Sequence, residues 1–190
     1  MKTMALLYPG CVEFEIMLAC EILNDKFRVD VITPYGLNHI GSNGMTIQAS
    51  GGFESVEPQD YKVILIPGGN PEKLIGNELL NQILKKAYSK GVILAAICAG
   101  PILLDQAELL TGLRIAHGYE ADQIETLIPN GFFKGVELTS EALIEDDQII
   151  TAKPDAFIDF SVAIAHRAGV VKTEKKEFWQ KYYRGQIEAS

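Results

Sequence analysis

The sequence predicts an α/β protein in which a mostly parallel β-sheet is sandwiched between helices. Three observations carry that reading. Two continuous apolar runs, Val63 to Ile66 and Val92 to Ile97, have the length of strands and no polar alternation, which marks strands covered on both faces. Segments of helical spacing separate the strand candidates, and that alternation is the signature of parallel strands joined by crossover helices. The strand candidates also end in turn-forming residues, Pro9-Gly10, Pro34 and Pro67-Gly68-Gly69.

Taken in order, Thr3 to Tyr8 reads as a first strand, and Glu13 to Asn24 as a helix with Ile16, Ala19, Cys20 and Leu23 on one face. Phe27 to Thr33 and Met45 to Ala49 read as strands, Val63 to Ile66 as a central strand, and Pro71 to Lys90 as a helix. Val92 to Ile97 is a second central strand that runs into Cys98, and Ala99 to Ala107 follows as a helix. Arg114 to Ala116 is a short strand candidate and Glu120 to Leu127 a short helix. Ala142 to Glu145 and Gln148 to Thr151 flank Asp146-Asp147 as a hairpin. Pro154 to Ala168 is a helix with proline in its first turn. Thr173 to Gly185 is expected as a final helix within a tail that reaches residue 190. Its Phe178, Trp179, Tyr182 and Tyr183 recur at helical spacing, the pattern of a core or interface stripe.

The 190 residues suit one domain, residues 1–190, and 47% hydrophobic content with 22% charged residues excludes a disordered chain. A formal net charge of −8 argues against nucleic-acid or anionic-membrane partners, because binding phosphate needs a basic surface. No stretch approaches the roughly 20 apolar residues of a spanning helix, and the amino terminus lacks a signal-peptide core, so the expected location is the cytoplasm. Cys11, Cys20 and Cys98 suit free thiols, and neither they nor His39, His117 and His166 show paired ligand spacing, so no metal site is expected.

Ligands in such folds gather beyond the carboxyl ends of the strands, near a reversal in strand order. Pro9 to Glu15, Pro67 to Asn70 and Ile97 to Pro101 end there. In Ala95-Ala96-Ile97-Cys98-Ala99-Gly100-Pro101 a cysteine stands between a buried strand and a helix among small residues, which is how a nucleophile elbow is written. The start of the helix is expected to favour the Cys98 thiolate. The amide of Ala99 and one from the Gly68-Gly69 turn are candidates for an oxyanion hole, with Asn70 beside them as a substrate contact. The alternative is that Cys98 is a small buried apolar residue. Cys20 lies on an apolar helix face, and Cys11 is either inert or near the site.

The run Lys90 to Pro101, the segment Ile64-Leu65-Ile66-Pro67-Gly68-Gly69-Asn70 and the segment Pro9-Gly10-Cys11-Val12-Glu13-Phe14-Glu15 together resemble the ThiJ/PfpI family, within the class I glutamine amidotransferase-like superfamily. The similarity is strongest to the branch of the Parkinson-disease-associated deglycase and covers about residues 1 to 170. It implies a flavodoxin-like sheet, a homodimer, and a cofactor-free cysteine enzyme acting on small carbonyl substrates, of glutathione-independent glyoxalase or deglycase type. It places the reactive cysteine on Cys98, its partner acid on Glu15 and a loop histidine on His117. Glu15 otherwise reads as an acid in the first turn of a helix, and His117 as a loop or packing residue. An oxidation sensor using Cys98, or an amidase using His117 as base, are the alternative uses. Ala99 stands where family peptidases carry histidine, so an adjacent Cys-His dyad is absent, and Thr151 to Ala156 replaces the glycine-rich segment of the closest branch.

Overall fold

A computed structural model describes residues 1–187; the last three residues of the tail lie outside the described residues. The chain opens with strand β1 (Lys2–Leu6), helix α1 (Phe14–Asn24) and strand β2 (Val29–Thr33). Short strands β3 (His39–Ile40), β4 (Thr46–Ile47) and β5 (Gly51–Gly52) follow, then β6 (Tyr61–Ile66), α2 (Glu78–Ser89) and β7 (Ile93–Ile97). Beyond the cysteine come α3 (Pro101–Asp105), β8 (Arg114–Ala116), α4 (Ala121–Leu127) and β9 (Glu137–Thr139). The hairpin β10 (Leu143–Asp146) and β11 (Ile149–Ala152), then α5 (Phe157–Arg167) and α6 (Lys176–Tyr183), complete the order.

Seven strands form the main sheet in the order β10-β11-β7-β6-β1-β2-β5, parallel throughout except for β10 against β11. The chain therefore starts in the middle, builds outward through β2 and β5, and returns to lay β6 on the other side of β1. Right-handed crossovers in these two directions put α1 and α2 on opposite faces. Helix α1 packs on α5, which carries α6, whereas α2 lies against β7 and α3. Burial explains the apolar runs: Met4 to Leu6, Val63 to Ile66 and Leu94 to Ile97 are all at or near complete enclosure. Each large side chain among them contributes roughly 1.5 to 3 kcal/mol.

The expected α/β architecture is the observed one, with differences at element ends. The helix expected from Pro71 begins only at Glu78. A 3₁₀ turn at Glu72–Leu74 and Gly76 at φ 75° interrupt it, and the side chain of Asn77 caps the true start by accepting from the Leu80 amide at 2.9 Å. Met45 to Ala49 contributes only β4, because its partner β3 is equally short. The helix expected over Ala99 to Ala107 is confined to Pro101–Asp105, since Cys98 to Gly100 form the turn and Pro101, having no amide hydrogen, suits its first position.

Strands β1 and β6 flank the reversal in strand order, and the register Leu65 to Ala95 and Ile66 to Ala96 sets β7 beside β6. Their carboxyl ends therefore deliver Pro9 to Glu15, Pro67 to Asn70 and Cys98 to one edge. No helix among the described residues is long and apolar enough to cross a membrane.

Candidate functional site

Cys98 has φ 61°, a left-handed backbone that a non-glycine residue adopts only when its surroundings over-determine it. Two hydrogen bonds do so. The Cys98 amide donates to the Ala152 carbonyl at 2.9 Å, which extends the pairing of β7 with β11, and the Gly118 amide donates to the Cys98 carbonyl at 2.8 Å. Glycine is required on both sides of the thiol. A Cβ on Gly68 would stand 2.5 Å from Cys98 Cβ, and one on Gly118 would stand 2.9 Å from Sγ. The strain and the close approach leave the thiol half-buried rather than packed into the core.

Glu15 lies in the first turn of α1, yet it points inward and is only 2% exposed. Its Oε2 accepts the Gly68 amide at 2.8 Å, and its carboxyl is within hydrogen-bonding reach of the Cys98 thiol. Burial pushes the Glu15 carboxyl up, against the pull of Gly68 and Cys98. Burial first, and the charge of Glu15 second, push the Cys98 thiol up to about 11, while the amides of Gly69 and Ala99 pull it back. Burial thus opposes the expected thiolate, whereas the amides of Gly69 and Ala99 favour it. Helix α3 is too short to supply a large dipole, and burial opposes the anion. Burial and the mutual repulsion of the two groups both oppose a second negative charge, so the Cys98–Glu15 pair shares a proton.

The residues expected at the site divide accordingly. Cys98, Glu15, Gly69 and Ala99 come together. The Gly68 amide is occupied by Glu15, so among the two turn glycines it is Gly69 whose amide faces sulfur. The Asn70 backbone amide donates to the Gly10 carbonyl at 2.8 Å and its Oδ1 accepts the Glu72 amide at 3.0 Å, so these two contacts fix Asn70 in the cavity wall. His117 precedes Gly118, whose amide donates to the Cys98 carbonyl, but its ring engages other groups. Its Nδ1 accepts the Tyr119 amide at 3.1 Å, burial and Lys153 push its pKa down, and no hydrogen bond joins it to Cys98 among the described residues.

Sequence reasoning missed three contributors. Tyr8, fully buried at the end of β1, donates its hydroxyl to the carbonyls of Pro67 and Gly68 at 2.8 and 2.9 Å and so holds the turn beside the thiol. Tyr119 donates to the Ala99 carbonyl at 2.7 Å and walls the cavity. Gly118 admits the elbow. A tyrosine closing a buried strand was a signal for Tyr8, because its hydroxyl must find a partner; Tyr119 and Gly118 lie in a loop with no comparable pattern. The cavity outside Cys98 measures about 370 Å³, with Ile75, Ile102, Leu127 and Phe132 as apolar walls and Gln123 at one side. That volume suits a small molecule.

The fold also gathers residues that no spacing in the sequence connects. Cys11 Sγ lies 3.6 Å from His39 Nε2, and Glu13 Oε2 lies 4.0 Å from the same nitrogen, all three side chains being buried.

Comparison with known proteins gives consistent results. A model of the DJ-1/PfpI family matches residues 1–167. A deglycase of Pyrococcus abyssi is 37% identical over 95 residues, 50% of this chain, and the matched region spans 53% of that relative, about half its length. Protein DJ-1alpha of Drosophila melanogaster is 26% identical over 173 residues, 87% of this chain and 76% of that protein. The crystal structure of Drosophila melanogaster DJ-1beta superposes with a TM-score of 0.79 at 21% identity, covering 100% of this chain and 98% of the other, a likeness in fold.

Proposed function

From the premise that the chain belongs to the DJ-1/PfpI family, we propose that it is a cofactor-free enzyme in which Cys98 attacks small reactive carbonyls, as a glutathione-independent glyoxalase or a deglycase. The observation that carries this reading is the Cys98–Glu15 pair, a strained thiol in contact with a carboxylate at the mouth of a small apolar cavity. The deglycase relatives support the class of chemistry.

With an aldehyde such as methylglyoxal in the cavity, sulfur bonds to the aldehyde carbon while Glu15 takes the thiol proton. The amides of Gly69 and Ala99 hold the oxyanion that develops, and the proton returned by Glu15 converts it to a hemithioacetal. Glu15 then removes the proton from that carbon and delivers it to the neighbouring one, while the hydroxyl proton passes from the first oxygen to the neighbouring carbonyl oxygen, which leaves a thioester and a hydroxyl on the neighbouring carbon. Water cleaves the thioester, giving the hydroxy acid and the free thiol. Aldehyde and water are consumed, one hydroxy acid is formed, and no electron acceptor is needed.

The experiment is methylglyoxal loss and lactate formation without glutathione, in the wild type, Cys98→Ala and Glu15→Gln. Activity in the wild type that both variants lose supports the assignment, and the same proteins assayed for release of sugar-derived adducts separate glyoxalase from deglycase. An inactive wild type overturns the reading. Selective oxidation of Cys98 on peroxide titration would then favour the sensor use, although a thiol raised by burial is slow to oxidise.

A further inference from the structure

We propose that Cys11, Glu13 and His39 form a binding site for a thiophilic divalent metal ion, with zinc the ion that fits the donor set best. The site is separate from Cys98 and does not depend on its chemistry. Sulfur, imidazole nitrogen and carboxylate oxygen all lie within 4.8 Å of one another. The carboxylate-to-imidazole separation of 4.0 Å is too wide for a direct hydrogen bond, so that contact is not what draws the two groups together. Bond lengths of about 2.3 Å to sulfur and 2.0 to 2.2 Å to nitrogen and oxygen set tetrahedral donor separations of roughly 3.3 to 3.6 Å. The sulfur–nitrogen distance of 3.6 Å already meets this value, and the Glu13 oxygen, 4.0 Å from the same nitrogen, needs to close on it by roughly half an ångström.

The surroundings hold the donors in place. Glu13 Oε2 accepts the Ser42 amide at 3.0 Å and Oε1 accepts the Ser42 hydroxyl at 3.1 Å. A Cβ on Gly41 would fall 2.5 Å from Glu13 Oε1, so the loop wraps the carboxylate closely. The Tyr8 amide points at Cys11 Sγ at 3.5 Å. Such outer contacts are what orient ligands in metal centres. A thiolate, an imidazole and one carboxylate form a set suited to zinc and its soft neighbours, and poorly suited to magnesium or calcium, which demand more oxygen donors. Three protein ligands leave a fourth position. A second cavity of about 280 Å³, lined by Pro9, Thr33, Asn38 and His39, gives access. On binding, the metal–sulfur bond replaces the thiol S–H bond and one proton passes to solvent, while His39 supplies the lone pair of Nε2.

The test uses the purified full chain and cobalt(II) as the optical probe, in the wild type, Cys98→Ser, Cys11→Ser and His39→Gln. One equivalent of cobalt is expected to give a sulfur-to-metal charge-transfer band in the wild type and in Cys98→Ser, with one proton released per metal. The band should vanish in Cys11→Ser, and affinity should fall at least tenfold in His39→Gln. No band, or a band that survives Cys11→Ser and disappears in Cys98→Ser, overturns the assignment. Should Cys11→Ser fail to fold, thermal unfolding with zinc decides. A rise in Tm for the wild type and none for His39→Gln supports the site, and equal rises in both refute it.

Discussion

Glu13 and Glu15 are two residues apart, sit at the start of the same helix and are equally hidden from solvent, at 2% exposure each, yet their carboxyls are driven in opposite directions. Burial opposes charge on both. Glu15 meets one backbone donor, Gly68, and a thiol, and burial wins, so its pKa rises. Glu13 meets the amide and hydroxyl of Ser42 and the amide of Asn43, and these outweigh burial, so its pKa falls. The lesson is that solvent accessibility alone does not set the protonation of a carboxyl: Glu15 lies deeper and meets fewer donors than Glu13, and both differences act in the same direction. The two acids face different sulfur atoms, Glu15 towards Cys98 and Glu13 towards Cys11, and the chemistry available at each follows from that difference.

Removing the Cys98 sulfur breaks the comparison most severely. Cys98→Ala is expected to lower turnover of dicarbonyl by about a thousandfold or more, because the covalent route is lost, whereas Cys11→Ala should leave most of the rate. Parallel kinetic assays of the two variants check this.

Glu15→Gln is expected to cost roughly 10²- to 10⁴-fold in turnover, the scale of a positioned acid–base group. It also removes a charge that pushes the Cys98 thiol up, so alkylation of Cys98, measured across pH, should shift to lower pH than in the wild type. An unchanged profile would mean that the carboxylate does not act on the thiol.

A methyl group beside the elbow gives a smaller effect. Gly118→Ala places a Cβ 2.9 Å from Sγ and should destabilise by roughly 1 to 3 kcal/mol while displacing the thiol. Denaturant unfolding and turnover, measured together, separate the two consequences.

The sharpest test of the comparison is stability against pH. The raised pKa of Glu15 contributes stability at pH below the unfolded carboxyl value, and that contribution is lost as pH rises through the folded value. The lowered pKa of Glu13 contributes stability above the unfolded value, lost as pH falls through the folded one. Glu13→Gln should therefore cost roughly 1 to 3 kcal/mol at neutral pH, the scale of hydrogen bonds to a charged group, with the deficit shrinking in acid. Glu15→Gln should be no less stable than the wild type at neutral pH and lose any advantage below about pH 4. Urea titrations of the three proteins from neutral to acid pH decide whether the slopes have opposite signs.

Much of the frame was legible in the residues. Val63 to Ile66 and Val92 to Ile97 have a composition that only a doubly covered strand accommodates, and the turn residues at Pro9-Gly10 and Pro67-Gly68-Gly69 marked where the strands deliver their loops. The small residues around Cys98 identified the elbow, and the motif resemblance singled out Glu15. Less legible were contributors whose role depends on a partner distant in sequence. Tyr8 acts on Gly68, sixty residues away, and Cys11 meets His39 at a separation of 28. His117 was singled out with the others, but its ring is turned to the Tyr119 amide by the local loop.

The sequence by itself determined the alternation of strand and helix, the buried character of β6 and β7, and the placing of a cysteine at a strand end, because these depend on local composition and periodicity. Tertiary structure alone decided which amides reach sulfur, in which direction each of two neighbouring glutamates is shifted, and that Cys11, Glu13 and His39 converge. Hydrogen-bond partners and desolvation are properties of the assembled surroundings, and segments far apart in the chain bring them together only when the sheet closes its order around β1.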